Sequence, residues 1–232
     1  MNLEQHNIKC LGIIMDGNRR WARQNGKNSI DGHKEGYKKL KQALGWIKES
    51  GINEAVVYAF STENWKRTEE EVGALMNLLT FALSNEIDSL LKEGVKLKFV
   101  GDLSLFPDNF QKLLKNATEV TKNNGPLTLT VALSYGGRAE ILDAVKRVAK
   151  LPIEEIAKIT EDSFEKYFWT CGMSDPDLII RTGGECRMSN FLPYQSVYSE
   201  LFFTKTLWPD FDRKEFDQIL KDFGERKRNM GK

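Results

Sequence analysis

Short runs of apolar and β-branched residues recur along the chain, and longer stretches of amphipathic, helical period separate most of them. That alternation is the pattern of a parallel α/β sheet, because parallel neighbours need a crossover long enough to hold a helix. The candidate strands are Cys10–Met15, Ala55–Phe60, Val95–Val100, Leu127–Leu133, Leu178–Arg181 and Val197–Phe203. Helical patterns run over His33–Ser50, Glu69–Lys92, Asp108–Lys122, Arg138–Lys150 and Arg213–Arg228. A weaker segment, Leu151–Gly172, reads as short helices covering one end of the sheet. No linker, repeat or low-complexity stretch intervenes, so residues 1–232 read as a single domain built on a central, mostly parallel six-stranded sheet flanked by helices. A chain of 232 residues hides roughly 70–75% of its unfolded surface, so neither a disulfide framework nor a structural metal is needed to hold it.

Charge and residue supply exclude several functions. The 34 Lys and Arg balance 33 Asp and Glu, for a formal charge of +1, without the basic excess of a general nucleic-acid binder. Cys10, Cys171 and Cys186 show no C-x-x-C spacing, which suits a reducing compartment. With His6 and His33 as the only histidines, a zinc site lacks ligands, and the metal to expect is a hard one. G-x-S-x-G is absent, which together with the histidine supply rules out a serine hydrolase triad, and no cysteine nucleophile is signalled. Walker A and G-x-G-x-x-G are absent too. The N-terminus lacks a charged start and an apolar core segment, and no apolar run approaches the ~20 residues of a membrane span; the expectation is a soluble, cytoplasmic protein.

In open parallel sheets ligands bind beyond the carboxyl ends of the strands. The segments that follow the strands are Asp16-Gly17-Asn18-Arg19-Arg20-Trp21, Ser61-Thr62-Glu63-Asn64-Trp65-Lys66-Arg67, Ser134-Tyr135-Gly136-Gly137-Arg138 and Arg181-Thr182-Gly183-Gly184-Glu185-Cys186-Arg187-Met188-Ser189-Asn190. Seven of the eleven arginines (19, 20, 23, 67, 138, 181 and 187) lie in or just beyond them. The guanidinium fork matches phosphate oxygens, so arginine gathered at one rim points to a phosphate-rich ligand. Asp16, the one carboxylate in the first cluster, reads either as a Mg²⁺ ligand shared with substrate phosphates or as a helix cap. Gly183-Gly184 permits close approach to an anion or simply makes a turn. His33 reads as a phosphate donor or a turn residue, and Glu200, placed mid-strand, requires a metal or arginine partner. The stripe Val72, Leu75, Leu79, Leu83, Ile87 and Leu90 reads as core packing.

The segment Ile13-Ile14-Met15-Asp16-Gly17-Asn18-Arg19-Arg20-Trp21-Ala22 resembles the first signature of the cis-prenyltransferases. Gly32-His33-Lys34, Tyr58-Ala59-Phe60-Ser61-Thr62-Glu63-Asn64-Trp65, Gly101-Asp102, Tyr135-Gly136-Gly137-Arg138, 177–185 and Leu207-Trp208-Pro209-Asp210-Phe211 resemble its other blocks, in order and over nearly the whole chain. Similarity is greatest to the bacterial members that make undecaprenyl diphosphate. The resemblance implies a homodimeric α/β transferase that condenses isopentenyl diphosphate with farnesyl diphosphate and yields a lipid-carrier precursor for cell-wall synthesis. Its product would leave through contact with the inner face of the membrane. It implies Mg²⁺ held by Asp16, with Glu200 as a second ligand, and Asp16 assisting diphosphate departure. Gly17, Asn18, Arg19, Arg20, Trp21 and His33 are implied to hold the allylic diphosphate, with Ser61, Thr62, Glu63, Trp65 and Arg67 completing that region. Arg181, Arg187, Met188 and Ser189 are implied to hold isopentenyl diphosphate. Asn64 carries the family's proton-acceptor role, but a carboxamide is a very weak base, so it is expected to orient the proton rather than take it. On this reading the stripe over Leu75, Leu79, Ala82 and Leu83 becomes the wall of an apolar tunnel.

The sequence also departs from the family pattern. Ser29 stands where a basic residue is usual, Thr68 where Pro is common, and the tail Arg226–Lys232 lacks an R-x-G ending. Competing readings are a cis-prenyltransferase of shorter product and a non-catalytic partner subunit. The intact Asp16–Arg20 and Arg181–Ser189 blocks count against the second. RNA binding through the basic tail is a third reading.

Overall fold

β1 (Cys10–Ile14) is buried along its whole length, as a strand covered on both faces must be. In the computed structural model, which describes residues 6–226, its neighbours are β2 (Glu54–Ser61) and β5 (Leu178–Arg181). With β3 (Val95–Val100), β4 (Leu127–Tyr135) and β6 (Glu200–Phe203) they form a six-stranded sheet of order β3-β4-β2-β1-β5-β6. Every pairing is parallel, so the expected "mostly parallel" sheet is wholly so. The chain leaves β1 toward β2 on one side and returns to it through β5 on the other. β1 is therefore the switch point, outside whose carboxyl end open α/β sheets bind ligands.

Two apolar layers cover the sheet. The larger joins Leu11, Ile13, Val57 and Phe60 to Leu44 and Ile47 of α2 (Ser29–Glu49), Leu114 of α5 (Asp108–Thr121), Phe216 and Phe223 of α9 (Arg213–Glu225), and Trp208. Trp208 is fully buried and donates its indole N–H to the Gly36 carbonyl at 2.8 Å. The smaller layer, on the other face, holds Cys10, Ile14, Val56, Tyr135, Ile179 and Phe191. It lies toward α6 (Gly137–Val148), from which the buried Glu140 bonds the Tyr135 hydroxyl at 2.7 Å. Each fully buried side chain of this size contributes about 1.5–3 kcal/mol relative to exposure.

Local chemistry moved several boundaries. A helix not foreseen, α1 (Asn18–Gln24), starts directly after β1, with Gly17 at φ 115° making the turn. α2 begins at Ser29 rather than His33 because Asn28 caps it, accepting the Asp31 N–H at 2.9 Å. The two helices pack closely at Gly32, where an added Cβ would stand 2.1 Å from the Asn18 carbonyl oxygen. The long helix expected over Glu69–Lys92 is two, α3 (Glu69–Asn85) and α4 (Ile87–Lys92), broken at Glu86. The 151–172 segment holds α7 (Ile153–Ile156) and α8 (Glu161–Phe164), short as expected. β6 is shorter than expected, since residues 193–198 form turns before Glu200. Of the basic tail, only Arg226 falls within the described residues.

Candidate active site

Asp16 lies just past β1, and its carboxylate is gripped from two sides. Arg20, one turn along α1, meets one oxygen at 3.0 Å, and Arg181, the last residue of β5, meets the other at 2.9 Å. No helix-cap bond involves it, so the cap reading of Asp16 is set aside. Its backbone carbonyl accepts from the Thr182 hydroxyl at 2.7 Å and from the Trp208 N–H at 3.0 Å, which fixes the loop. Each carboxylate oxygen keeps a lone-pair direction beyond its arginine.

Arg181 is 4% exposed. Besides Asp16 it bonds the Ser189 hydroxyl at 2.6 Å and the Arg187 carbonyl, so one buried guanidinium ties the β1 exit to the 187–189 loop. Its Nε and the Asn18 Oδ1 are buried without a partner. Arg187 pairs with Glu185 and stays largely exposed, and Met188 packs against the smaller core. Arg20 also donates to the Gly183 carbonyl at 2.5 Å. Asp16 is thus the carboxylate held between two of the converging arginines.

A cationic recess beside α1 is lined by Asp16, Gly17, Asn18, Arg19, Arg20, Arg23, His33 and Arg67. Arg19 reaches Glu71 at 3.1 Å. Burial first, then the nearby Arg67 and Arg19 charges, push His33 down to about 4 from 6.5. Burial and Arg19 likewise lower Arg67. Like charges gathered in a buried recess suit an anionic ligand. Native His33 is neutral down to about pH 4, while an unfolded histidine protonates near 6.5. The unfolded state therefore binds the extra proton in that window, and stability falls as pH drops through it. A bound diphosphate reverses the preference. At a pH of about 6, inorganic pyrophosphate is expected to bind with proton uptake that His33→Gln loses, read by calorimetry in buffers of different ionisation heat. Equal uptake by the variant would remove His33 from the anion site.

The β2 exit contributes less directly. Ser61 opens a tight turn, Thr62–Lys66, and the Asn64 Oδ1 accepts the Ser61 N–H at 3.0 Å, which makes it a loop tie rather than a free base. Trp65 donates to the Ser134 hydroxyl at 2.9 Å and stacks edgewise on Phe60. Burial works against the Glu63 carboxylate, yet hydrogen bonds from its own backbone, Asn190, Ser61 and Thr62 hold it below its ordinary range. Trp21 sits at the far side of α1, bonded to Asp210 at 2.7 Å.

One residue of the network went unforeseen. Asn190 accepts the Arg138 N–H at 2.9 Å, takes the Gly137 N–H at 2.8 Å on its backbone carbonyl, and donates to Glu63 at 3.0 Å. It joins the exits of β2, β4 and β5. Its signal is its residue type, since Asn tolerates the left-handed backbone found there, φ 65°.

Glu200 is not brought to Asp16 within one chain. It is the first residue of β6, level with Leu178, whereas Arg181 pairs with Phe203 three steps on, about 10 Å along the strand. Its partner is Arg226. Among the described residues no group of three or more His, Cys, Asp or Glu side chains is placed to hold a metal alone. A hard cation here would take Asp16 and substrate oxygens, a donor set that suits Mg²⁺.

Behind the recess an apolar cavity opens under α2 and α3. Met15, Asn18 and His33 stand at its head, and Leu40, Leu44, Leu75, Leu79, Leu83, Leu129 and Leu133 form its walls. Among the described residues no helix is long and apolar enough to cross a membrane.

Comparison with known proteins bears on this geometry. The family model described as putative undecaprenyl diphosphate synthase matches residues 14–231. An isoprenyl transferase of Fusobacterium nucleatum is 44% identical over 99% of this chain and 98% of its own length. The ditrans,polycis-undecaprenyl-diphosphate synthase, farnesyl-diphosphate specific, of Salmonella typhi is 41% identical over 99% and 92%. Among solved structures, lavandulyl diphosphate synthase from Lavandula x intermedia in complex with dimethylallyl diphosphate superposes with a TM-score of 0.93. It is 29% identical, over 98% of this chain and 100% of that one. A probable undecaprenyl diphosphate synthase from Campylobacter jejuni gives 0.82 at 34% identity, over 97% and 99%.

Proposed function

The chain belongs to the prenyltransferase family described as putative undecaprenyl diphosphate synthase, and on that footing we propose how its residues carry out cis-prenyl elongation. It is a transferase that extends farnesyl diphosphate with isopentenyl diphosphate to undecaprenyl diphosphate. The observation that carries this reading is the join between a cationic recess, closed around one carboxylate, and an apolar cavity. A diphosphate head and a growing hydrocarbon tail need these two environments side by side.

Arg19, Arg20, Arg67, His33 and the first N–H groups of α1 hold the allylic diphosphate, with the Ser61–Trp65 turn forming the wall beside it. Arg181, Arg187 and Ser189 hold isopentenyl diphosphate, and Met188 packs beneath their loop. Asp16 and the substrate oxygens would hold Mg²⁺, which would supply charge neutralisation at the departing diphosphate. The arginines act on the same charge, preorganised where it appears. As the allylic C–O bond ionises, the isopentenyl double bond attacks, and a proton is lost to form the cis double bond. Asn64, through its bond to Ser61, orients that region, and a phosphate oxygen or Asp16 receives the proton. The leucine-walled cavity serves as the tunnel that shelters the chain.

Residues 1–232 act as one catalytic unit, as a homodimer. The turn that leads into the edge strand β6, with Val197 and Tyr198 each 69% exposed, supports self-association there. A metal role for Glu200 then runs across that dimer, since one chain keeps it apart from Asp16. The product passes to a membrane surface on the cytoplasmic side.

The test is incubation of purified protein with farnesyl diphosphate, labelled isopentenyl diphosphate and either Mg²⁺ or EDTA, followed by chromatography of the extracted lipid. Mg²⁺-dependent label at undecaprenyl length is expected. A shorter product overturns the length assignment, and no incorporation by folded protein overturns the reaction.

A further inference from the structure

α3 carries more apolar side chains than its packing explains. Of its seventeen residues only Leu75 and Leu83 are buried, yet Leu78, Leu79 and Ala82 also line the apolar cavity. The helix roofs a space instead of settling on the sheet, so its height depends on how its two ends are fastened. At the head end Arg19 pairs with Glu71 at 3.1 Å. At the other, Lys41 of α2 meets Glu86 at 2.7 Å, and Glu86 is the residue at which α3 gives way to α4. Lys41 and Tyr37, one turn apart on α2, are the polar side chains in the cavity wall away from its head. Burial first, then the Glu86 and Glu93 charges, raise the Tyr37 hydroxyl, which keeps it neutral beside the pair. Farther along α2, Lys48 bonds the Glu93 carbonyl at 2.7 Å and anchors the end of α4.

We propose that the Lys41–Glu86 pair is a strap that sets product length, by limiting how far α3 lifts from α2 and so how much chain the cavity takes before elongation stops. This rests on the elongation reaction proposed above. Eight residues of helix, about 12 Å, separate Lys41 from His33, so the strap bears on the far end of the chain and not on the reacting carbons. A chain tip that wedges the seam open parts the two half-buried charges and leaves each without its partner beside hydrocarbon. Elongation past that point is opposed until the pair is removed.

Native protein, Lys41→Met, Glu86→Gln and the swapped pair Lys41→Glu with Glu86→Lys are compared by chain length of the labelled product. Each single variant is expected to shift the distribution to longer products by at least one isoprene unit, and the swapped pair to return it toward native length. An unchanged or shortened distribution in the single variants, or a swapped pair as long as the singles, overturns the strap. Urea midpoints of all four proteins show whether a length change follows lost folding, which the swap would then fail to correct. Absence of incorporation by the native protein is seen before any variant is compared, and it overturns the elongation reading itself.

Discussion

Asp16→Ala is expected to lower turnover by about a thousandfold, the scale seen when a preorganised charge partner is removed from a transition state. The KM for farnesyl diphosphate should move much less. Asp16, itself an anion, makes no direct favourable contact with a ground-state diphosphate, and its arginine partners, Arg20 and Arg181, remain to bind phosphate. The interaction lost is thus one that grows as the C–O bond breaks, which lowers kcat and kcat/KM together. Asp16→Asn, which keeps the size and a hydrogen-bonding oxygen, separates charge from shape and should be nearly as impaired. Steady-state kinetics with each substrate varied in turn is the measurement; turnover within tenfold of native would remove Asp16 from the chemistry.

Arg181→Met should damage stability and activity together. Arg181 is 4% exposed, and its guanidinium serves Asp16, Ser189 and the Arg187 carbonyl at once. Its removal leaves one oxygen of the partly buried Asp16 carboxylate and two loop groups without their partner, with Arg20 still on the other oxygen. Breaking a buried pair from one side costs about 3–5 kcal/mol, which is a large part of a typical domain's margin. Urea unfolding should show that loss, and the KM for isopentenyl diphosphate should rise even at low temperature where the variant is folded. Arg181→Lys should recover stability better than function, because a single ammonium cannot span Asp16 and Ser189 in the arginine's planar geometry. A variant with native stability and native KM would mean that the pair is incidental.

The strands were legible because burial on both faces leaves a continuous apolar run, as in Cys10–Ile14. Cap-and-turn chemistry was harder to read. α1 follows its strand so closely that Asn18–Gln24 looks like a loop of charges, and only Gly17 marks the turn. The start of α2 was written in Asn28 and Asp31, a cap five residues before the His33 expected to open the helix. Nothing local announces the break at Glu86: neither Gly nor Pro is there, and its side chain is tied to Lys41 from another helix. The same division holds at the site. Asp16, Arg19, Arg20 and Arg67 were legible as strand-exit residues, and the structure gathers them with His33 in one recess. Asn190 was not, because its importance lies in three partners far away in sequence. Glu200 looked like a residue in need of a partner and has one, but at the opposite end of the sheet from Asp16.

α3 bears on how such a protein can change over generations. A side chain packed into a core is held by the fold, and most replacements there are felt as lost stability. Leu78 and Leu79 of α3, which line the cavity, are only half-buried, so replacing them disturbs folding less than a comparable change at Leu11 or Phe60. Their variation is free to register in the length or shape of what the cavity receives. New products are thus reachable by drift along one helix, while the sheet and its arginines stay as they are.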